Sequence, residues 1–114
     1  MSKPNKEQID YARQLKELGV EKPPEVGDWY IPGGEGHEYC WLVEYTGEVA
    51  ENPKNLIIPP LDWCLERLRE KDPSISIVAV TQGWVVMGES IYVSGDTARD
   101  AALKAMLEVA KEGE

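Results

Sequence analysis

The sequence predicts an α+β fold, a layered sandwich in which helices pack on an antiparallel sheet. Three observations lead to this prediction. Residues 5–18 and 96–113 repeat apolar side chains at helical spacing. Residues 74–96 contain three β-prone runs separated only by short turns, and strands joined in this way pair antiparallel. The predicted element order is α-ββ-α-βββ-α, so helices near both ends of the chain are available to cover the sheet.

The chain length predicts a single domain. With 114 residues, the chain is within the usual size of one domain and can bury one core. Hydrophobic residues make up 42% and charged residues 29%, a composition that argues against wholesale disorder. Within the domain 1–114 we expect a front helix and hairpin over 5–45, a linker over 46–58 and a back α-βββ-α unit over 59–113.

The first element is a helix over residues 5–18. Asn5 and Gln8 have the spacing of a capping box, and Gly19 is suited to the position just after the helix. The helix has one thin apolar stripe, so it must dock on another element to persist. The stripe consists of Ile9, Tyr11, Ala12, Leu15 and Leu18.

A β-hairpin is predicted next. The connector EKPPEVG (21–27) cannot be helical because of its prolines. DWYI (28–31) and HEYCWLVEY (37–45) are typical of strands, and the glycine-rich PGGEG (32–36) would turn the chain between them.

Alternation in the second hairpin strand predicts which side chains are buried. One face would carry only apolar and aromatic side chains, and we expect it to be buried. The other face holds Cys40 and Leu42 between two glutamates, so we expect it to be half exposed. The predicted buried face consists of Tyr39, Trp41, Val43 and Tyr45.

A loop over 46–55 and a second long helix follow. The apolar run at the start of 56–73 leads into this helix, and Pro60 fits its first turn. Its buried stripe would consist of Leu61, Cys64, Leu65 and Leu68. Trp63 lies off that stripe, where it could cover the edge of the sheet or serve as an exposed contact residue.

The last part of the chain predicts a three-stranded meander and a closing helix. The strands are Ile75–Val80, Trp84–Met87 and Ile91–Val93. Thr97 and Asp100 form a capping box at the start of the helix over 96–113. Because the helix is apolar over a wide arc, it is either central to the fold or covered by a partner subunit.

Charge and hydropathy argue against two classes of partner. The net charge is −9, from 21 acidic and 12 basic residues spread along the chain. Such a field repels phosphate backbones and anionic membranes, so we expect no nucleic-acid partner. No apolar run approaches the roughly 20 residues that span a bilayer. The opening MSKPNKEQID lacks an apolar signal region, which favours a cytoplasmic location and no membrane association.

The single histidine and the two cysteines are candidate members of a reactive site. His37 and Cys40 have zinc-ligand spacing, Cys64 could be a third ligand, and Asp28 or Glu38 could complete the set, but no second Cys/His pair exists. On a strand, His37 and Cys40 point to opposite faces and cannot form a catalytic dyad. We therefore expect no metal, cofactor or catalytic constellation. The cysteines fit a reducing compartment, although a disulfide between them is an alternative.

The aromatic composition predicts an interaction surface. The chain has four Trp and five Tyr but no Phe, and Trp and Tyr are enriched at contact sites. We expect a non-enzymatic protein-binding or assembly module that forms a homodimer or binds another protein. An alternative is a small-ligand or nucleic-acid pocket between the 32–37 loop and the sheet. Its lining would be Trp29, Tyr30, His37 and Trp41. The predicted surface consists of Trp29, Tyr30, His37, Trp41 and Trp63.

The back half resembles a double-stranded RNA-binding domain in its α-βββ-α order over residues 60–111. Members of that family have a lysine-rich start to the last helix that contacts phosphates. Here Arg99 and Lys104 remain, while Asp100 stands where the family pattern has a cation. The resemblance therefore implies a shared topology, and the negative charge opposes the family's phosphate binding.

A second resemblance concerns PPLDWCLERLRE, a short meander and GDTARDAALKAMLEVA. This pattern is similar to small uncharacterised bacteriophage and prophage proteins, in particular the group described as a phage ABA-sandwich domain. It covers about the second half of the chain and implies an origin in a mobile element, with no assigned activity. The residues that carry it are Pro60, Leu61, Asp62, Leu65, Leu68, Thr97, Ala101, Ala105 and Leu107.

Overall fold

The computed structural model describes residues 3–36 and 40–112. The chain divides into two compact units, Met1–Pro59 and Pro60–Glu114. The boundary in the sequence falls between two adjacent prolines. The described residues contain α-helices and two antiparallel three-stranded sheets, so the predicted α+β class is confirmed. The strands form two sheets rather than one. That the units behave as the single domain 1–114 stays a prediction.

The first unit is built from a helix and a small sheet. Asn5 Oδ1 accepts a hydrogen bond from the Gln8 backbone N–H at 2.9 Å, and the Gln8 side chain accepts one from Asn5 N–H, so the predicted capping box is confirmed. The elements are α1 (Lys6–Glu17), β1 (Trp29–Ile31), a 3₁₀ turn (Pro32–Gly34), β2 (Trp41–Leu42), α2 (Thr46–Ala50) and β3 (Leu56–Ile58).

The sheet of the first unit has the order β2-β1-β3, with both pairs antiparallel. In β1, Trp29 and Ile31 share the face that α1 covers, while Tyr30 lies on the opposite face. The core under the helix consists of Ile9, Ala12, Ile31, Leu56 and Ile58, with Trp29 and Cys40 packed against it. The predicted apolar stripe of the first helix therefore finds the docking surface that it needs.

The predicted linker over 46–58 is corrected by the structure. Residues Thr46–Ala50 form α2, whose Val49 is buried, and Leu56–Ile58 form β3, which pairs along all of β1. The apolar run at 56–58 completes the sheet instead of only leading into the next helix. A three-residue strand is too short to show a periodic pattern, and its pairing depends on β1, which is distant in the sequence.

The predicted burial in the second hairpin strand is wrong for two of its side chains. The hairpin itself is confirmed, but β2 extends only over Trp41–Leu42 in the described residues, and Tyr39 lies outside them. Trp41 and Tyr45 are exposed, whereas Val43 is buried. The cause is that Trp41 lies with Tyr30 on the face of the sheet that α1 does not cover. The regular strand ends at Leu42, so its alternation does not extend to Tyr45.

The second unit has the predicted α-βββ-α order. Its sheet is antiparallel with the order β4-β5-β6, and Val85 at its centre pairs with Val78 on one side and Ser94 on the other. The elements are α3 (Leu61–Lys71), β4 (Ser76–Val80), β5 (Gly83–Met87), β6 (Tyr92–Gly95) and α4 (Ala98–Glu112).

The closing helix α4 packs on α3, β5 and β6. It approaches the sheet so closely at Gly95 that an added Cβ would lie 2.6 Å from the Ala101 backbone nitrogen. Its apolar arc is buried within the chain, which favours the central position among the two predicted alternatives. The buried apolar residues of α4 are Ala101, Ala102, Leu103, Ala105, Met106 and Leu107. In the described part of the chain, no helix is long and apolar enough to cross a bilayer.

Candidate functional site

The predicted interaction residues take different positions. Trp29 packs against the core of the first unit and Tyr30 is half-buried, whereas Trp41 is exposed. His37 lies outside the described residues. Trp63 belongs to the second unit, where it is half-buried and the Arg67 guanidinium carbon lies 5.4 Å from its ring centroid. Of the described predictions in the first unit, only Trp41 presents a large aromatic surface to solvent.

Trp41 is one of four exposed apolar side chains on and beside the edge strand β2, a set that we call the hairpin patch; along β2 itself, Trp41 and Leu42 lie on opposite faces of the sheet. The patch consists of Val26, Trp41, Leu42 and Tyr45, whose exposed fractions are 72%, 57%, 49% and 67%. Two backbone hydrogen bonds hold its segments side by side. Gly27 N–H donates to Val43 O at 3.0 Å, and Val43 N–H donates to Asp28 O at 2.8 Å. Side chains from two separate segments are therefore displayed along one edge of the sheet.

A buried ion pair fixes the segment that carries Val26. The Lys22 ammonium contacts Asp28 Oδ2, and the two side chains are only 2% and 8% exposed. Asp28 Oδ2 also accepts the Glu25 backbone N–H at 3.0 Å, and Lys22 Nζ donates to Pro23 O at 3.0 Å. These contacts close residues 22–28 into a loop in which each buried charge has both a counter-charge and a hydrogen bond.

Carboxylates flank the hairpin patch in the sequence. Glu25 precedes Val26, Glu44 precedes Tyr45, and Glu48 follows in α2; all three are exposed. Glu25 lies 3.4 Å from Lys22 Nζ, but its own side chain is 74% exposed, so this contact adds little. Exposed carboxylates therefore adjoin the patch residues along the chain.

The first unit also contains an open cleft of about 400 Å³ beside α1. Lys16 borders this cleft, and its ammonium donates to the carbonyl oxygens of Pro53 and Asn55. The cation is thus engaged in holding the 53–55 turn against the helix. The cleft is lined by residues of α1 and of segments 20–24 and 49–59, which include none of the described residues predicted to line a pocket.

Neither cysteine forms a disulfide, so the alternative of a bond between them is not realised. Burial, with a smaller contribution from the nearby Asp62 carboxylate, raises the pKa of the Cys64 thiol to about 12. Cys64 is therefore protonated at neutral pH, and only the thiolate acts as a nucleophile or metal ligand. Cys40 is half-buried against the core of the first unit.

The cations that the RNA-binding resemblance singles out are part of the fold. Arg99 is buried, and the Lys104 ammonium donates to the Ser94 carbonyl at 3.2 Å, which ties α4 to β6. Asp100 N–H donates to Thr97 Oγ1 at 3.1 Å, so Thr97 caps the helix as predicted. The start of α4 does not present these side chains as a row of exposed cations.

No protein-family model, curated protein or solved structure matches this chain. Its function is therefore argued from geometry and chemistry. Sequence reasoning found Trp41 but missed Val26, Leu42 and Tyr45. No local sequence signal distinguishes these residues, since Val43 also stands beside a glutamate and is buried.

Proposed function

We propose that this chain is a non-enzymatic protein-binding or assembly module that docks a partner protein through the hairpin patch. One observation carries the proposal: four large apolar side chains, two of them aromatic, are each about half exposed or more and lie along one sheet edge. Large apolar side chains exposed near one another on an open sheet edge are suited to contact a partner, and Trp and Tyr contribute much of the binding energy at interfaces.

The charge around the patch defines the partner's chemistry. With Glu25, Glu44 and Glu48 adjoining the patch residues along a chain of net charge −9, a complementary partner has an apolar surface bordered by lysines or arginines. Opposite charge beside the contact speeds association, while the apolar side chains limit dissociation.

Site-specific photo-crosslinking in cells tests the proposal. A photo-reactive phenylalanine analogue replaces Trp41 in one variant and Tyr92 in the matched control, since Tyr92 is also an exposed aromatic but belongs to the second unit. We expect a discrete crosslinked partner from position 41 and none from position 92. Equal crosslinking from both positions, or none from position 41 in the cells that encode the chain, would refute the proposal.

An origin in a bacteriophage or prophage and a cytoplasmic location are part of the same proposal. The resemblance of PPLDWCLERLRE and GDTARDAALKAMLEVA to the phage ABA-sandwich group supports the origin. Two free cysteines support a reducing compartment. Phage structural or lysogeny genes beside the coding sequence would support the origin, and recovery of the protein from the culture medium would contradict the location.

A further inference from the structure

The second unit contains the longest uncharged stretch of the sequence. Residues 73–88 carry no Asp, Glu, Lys or Arg, although 29% of the chain is charged. This stretch builds β4, β5 and the turn between them. The chain has a net charge of −9, so two copies repel one another. They can approach most easily through a region that contains no charged side chains.

The strand β4 is an open edge of its sheet. It pairs with β5 on one side, and among the described residues no strand pairs with its other side. In an antiparallel ladder every second residue directs its N–H and C=O groups away from the neighbouring strand, so β4 offers unpaired backbone groups. Val78 is 41% and Val80 45% exposed, and Ala79 between them is exposed as well.

The usual protection of an edge strand is missing from β4. Protein edges are commonly blocked by charged side chains, prolines or bulges. The segment Ser76–Val80 contains no charge and no proline, and its five residues pair with β5 in continuous register, without a bulge. Such an edge is suited to the addition of another strand.

We propose that β4 pairs antiparallel with β4 of a second copy of the chain, which joins two three-stranded sheets into one six-stranded sheet. The register centred on Val78 pairs all five residues of the strand. Val78 then lies opposite itself on the two-fold axis, and Ser76 lies opposite Val80 of the partner subunit. This is an isologous contact, which closes at two copies.

The strand itself favours a second copy as the occupant. In the register centred on Val78, no charged residue opposes another, and β-branched residues meet at the axis, a favourable cross-strand pair. The inference extends the proposed assembly role, since self-pairing is one form of assembly. It uses a surface that does not include the hairpin patch, so either can fail alone.

Sedimentation of the full chain over a micromolar-to-submillimolar concentration series tests the pairing. We expect the molar mass to double with concentration. Val78→Lys and Val78→Glu each place two like charges opposite one another at the axis, and both variants should remain monomeric. An equimolar mixture of the two variants should form the heterodimer again, because the charges are then opposite. Tyr92→Lys, an exposed change on the far edge strand, is the matched control and should still dimerise.

Amide hydrogen exchange gives a second readout on the same samples. In the wild type, exchange of the outward-facing β4 amides should slow as the concentration rises, and it should not do so in Val78→Lys. A wild type that stays monomeric throughout the series would overturn the pairing. A dimer that persists in both Val78 variants would also overturn it. The same holds for a dimer that is lost in Trp41→Ser but kept in Val78→Lys. None of these results affects crosslinking from position 41, which tests the hairpin patch separately.

Discussion

The buried ion pair between Lys22 and Asp28 determines whether the Val26 loop keeps its shape, and Lys22→Met tests this directly. The substitution keeps an unbranched side chain that is one heavy atom shorter and removes the charge, which leaves the Asp28 carboxylate buried without its Lys22 counter-charge. Breaking a buried pair in this way costs about 3–5 kcal/mol. Because Asp28 keeps its hydrogen bond from Glu25 N–H, we expect the lower end, about 3 kcal/mol.

The assay is urea unfolding of a double-mutant cycle. Asp28→Asn alone should also destabilise the protein, since it leaves the Lys22 ammonium buried with only Pro23 O and the exposed Glu25. The double variant should lose less than the sum of the single variants, because neither charge is then left alone. Lys111→Met, an exposed change in the last turn of α4, is the control and should stay within about 0.5 kcal/mol of the wild type. Additive effects, or a cost below about 1 kcal/mol for Lys22→Met, would show that the pair is not buried in solution.

Three further predictions concern single side chains. Trp41→Ser should weaken partner binding about 30-fold in a titration. The free energy of unfolding should stay within error of the wild type because the side chain is exposed. Tyr92→Ser is the control and should bind the partner like the wild type. The Ser74 hydroxyl and the backbone N–H groups of Glu89 and Ser74 lower the pKa of the Asp72 carboxyl from its ordinary value. Asp72→Asn should therefore reduce stability at neutral pH, and the difference should vanish as the pH falls through the lowered folded-state pKa. Cys64 should resist alkylation at mildly alkaline pH until urea unfolds the chain, because burial raises its thiol pKa to about 12; rapid labelling of the folded protein at this position would contradict the burial.

Locally determined features were predictable from the sequence. The capping box of Asn5 and Gln8 and the cap of α4 by Thr97 depend on residues three positions apart, so the sequence contains all the information that they need. The meander β4-β5-β6 followed from β-prone runs joined by short turns. Each of these elements is determined by near neighbours.

Features that depend on distant pairing were not predictable. The strand β3 was missed because three residues show no period and because its partner β1 lies far away in the sequence. The burial of Trp41 was predicted wrongly because alternation gives two faces but not which of them the helix covers. The same position makes Trp41 available for binding. Composition predicts such a surface, but only the fold shows which of the aromatic side chains are exposed.

Ionic strength should separate the two proposed contacts because their electrostatics have opposite signs. Exposed carboxylates adjoin the hairpin patch, so its binding to a positively bordered partner should weaken as salt rises. Self-pairing through β4 joins two chains of net charge −9 through an uncharged strand, so salt should strengthen it by screening their repulsion. At 0.1 M salt the screening length is about 10 Å. A titration from low salt to concentrations above about 0.1 M therefore compares weakly screened with strongly screened charges. Sedimentation measures the dimer and fluorescence titration measures the partner complex at each salt concentration. If salt weakened the dimer, its contact would have to involve attractive charge pairs, which the stretch 73–88 does not contain, and the pairing through β4 would be wrong.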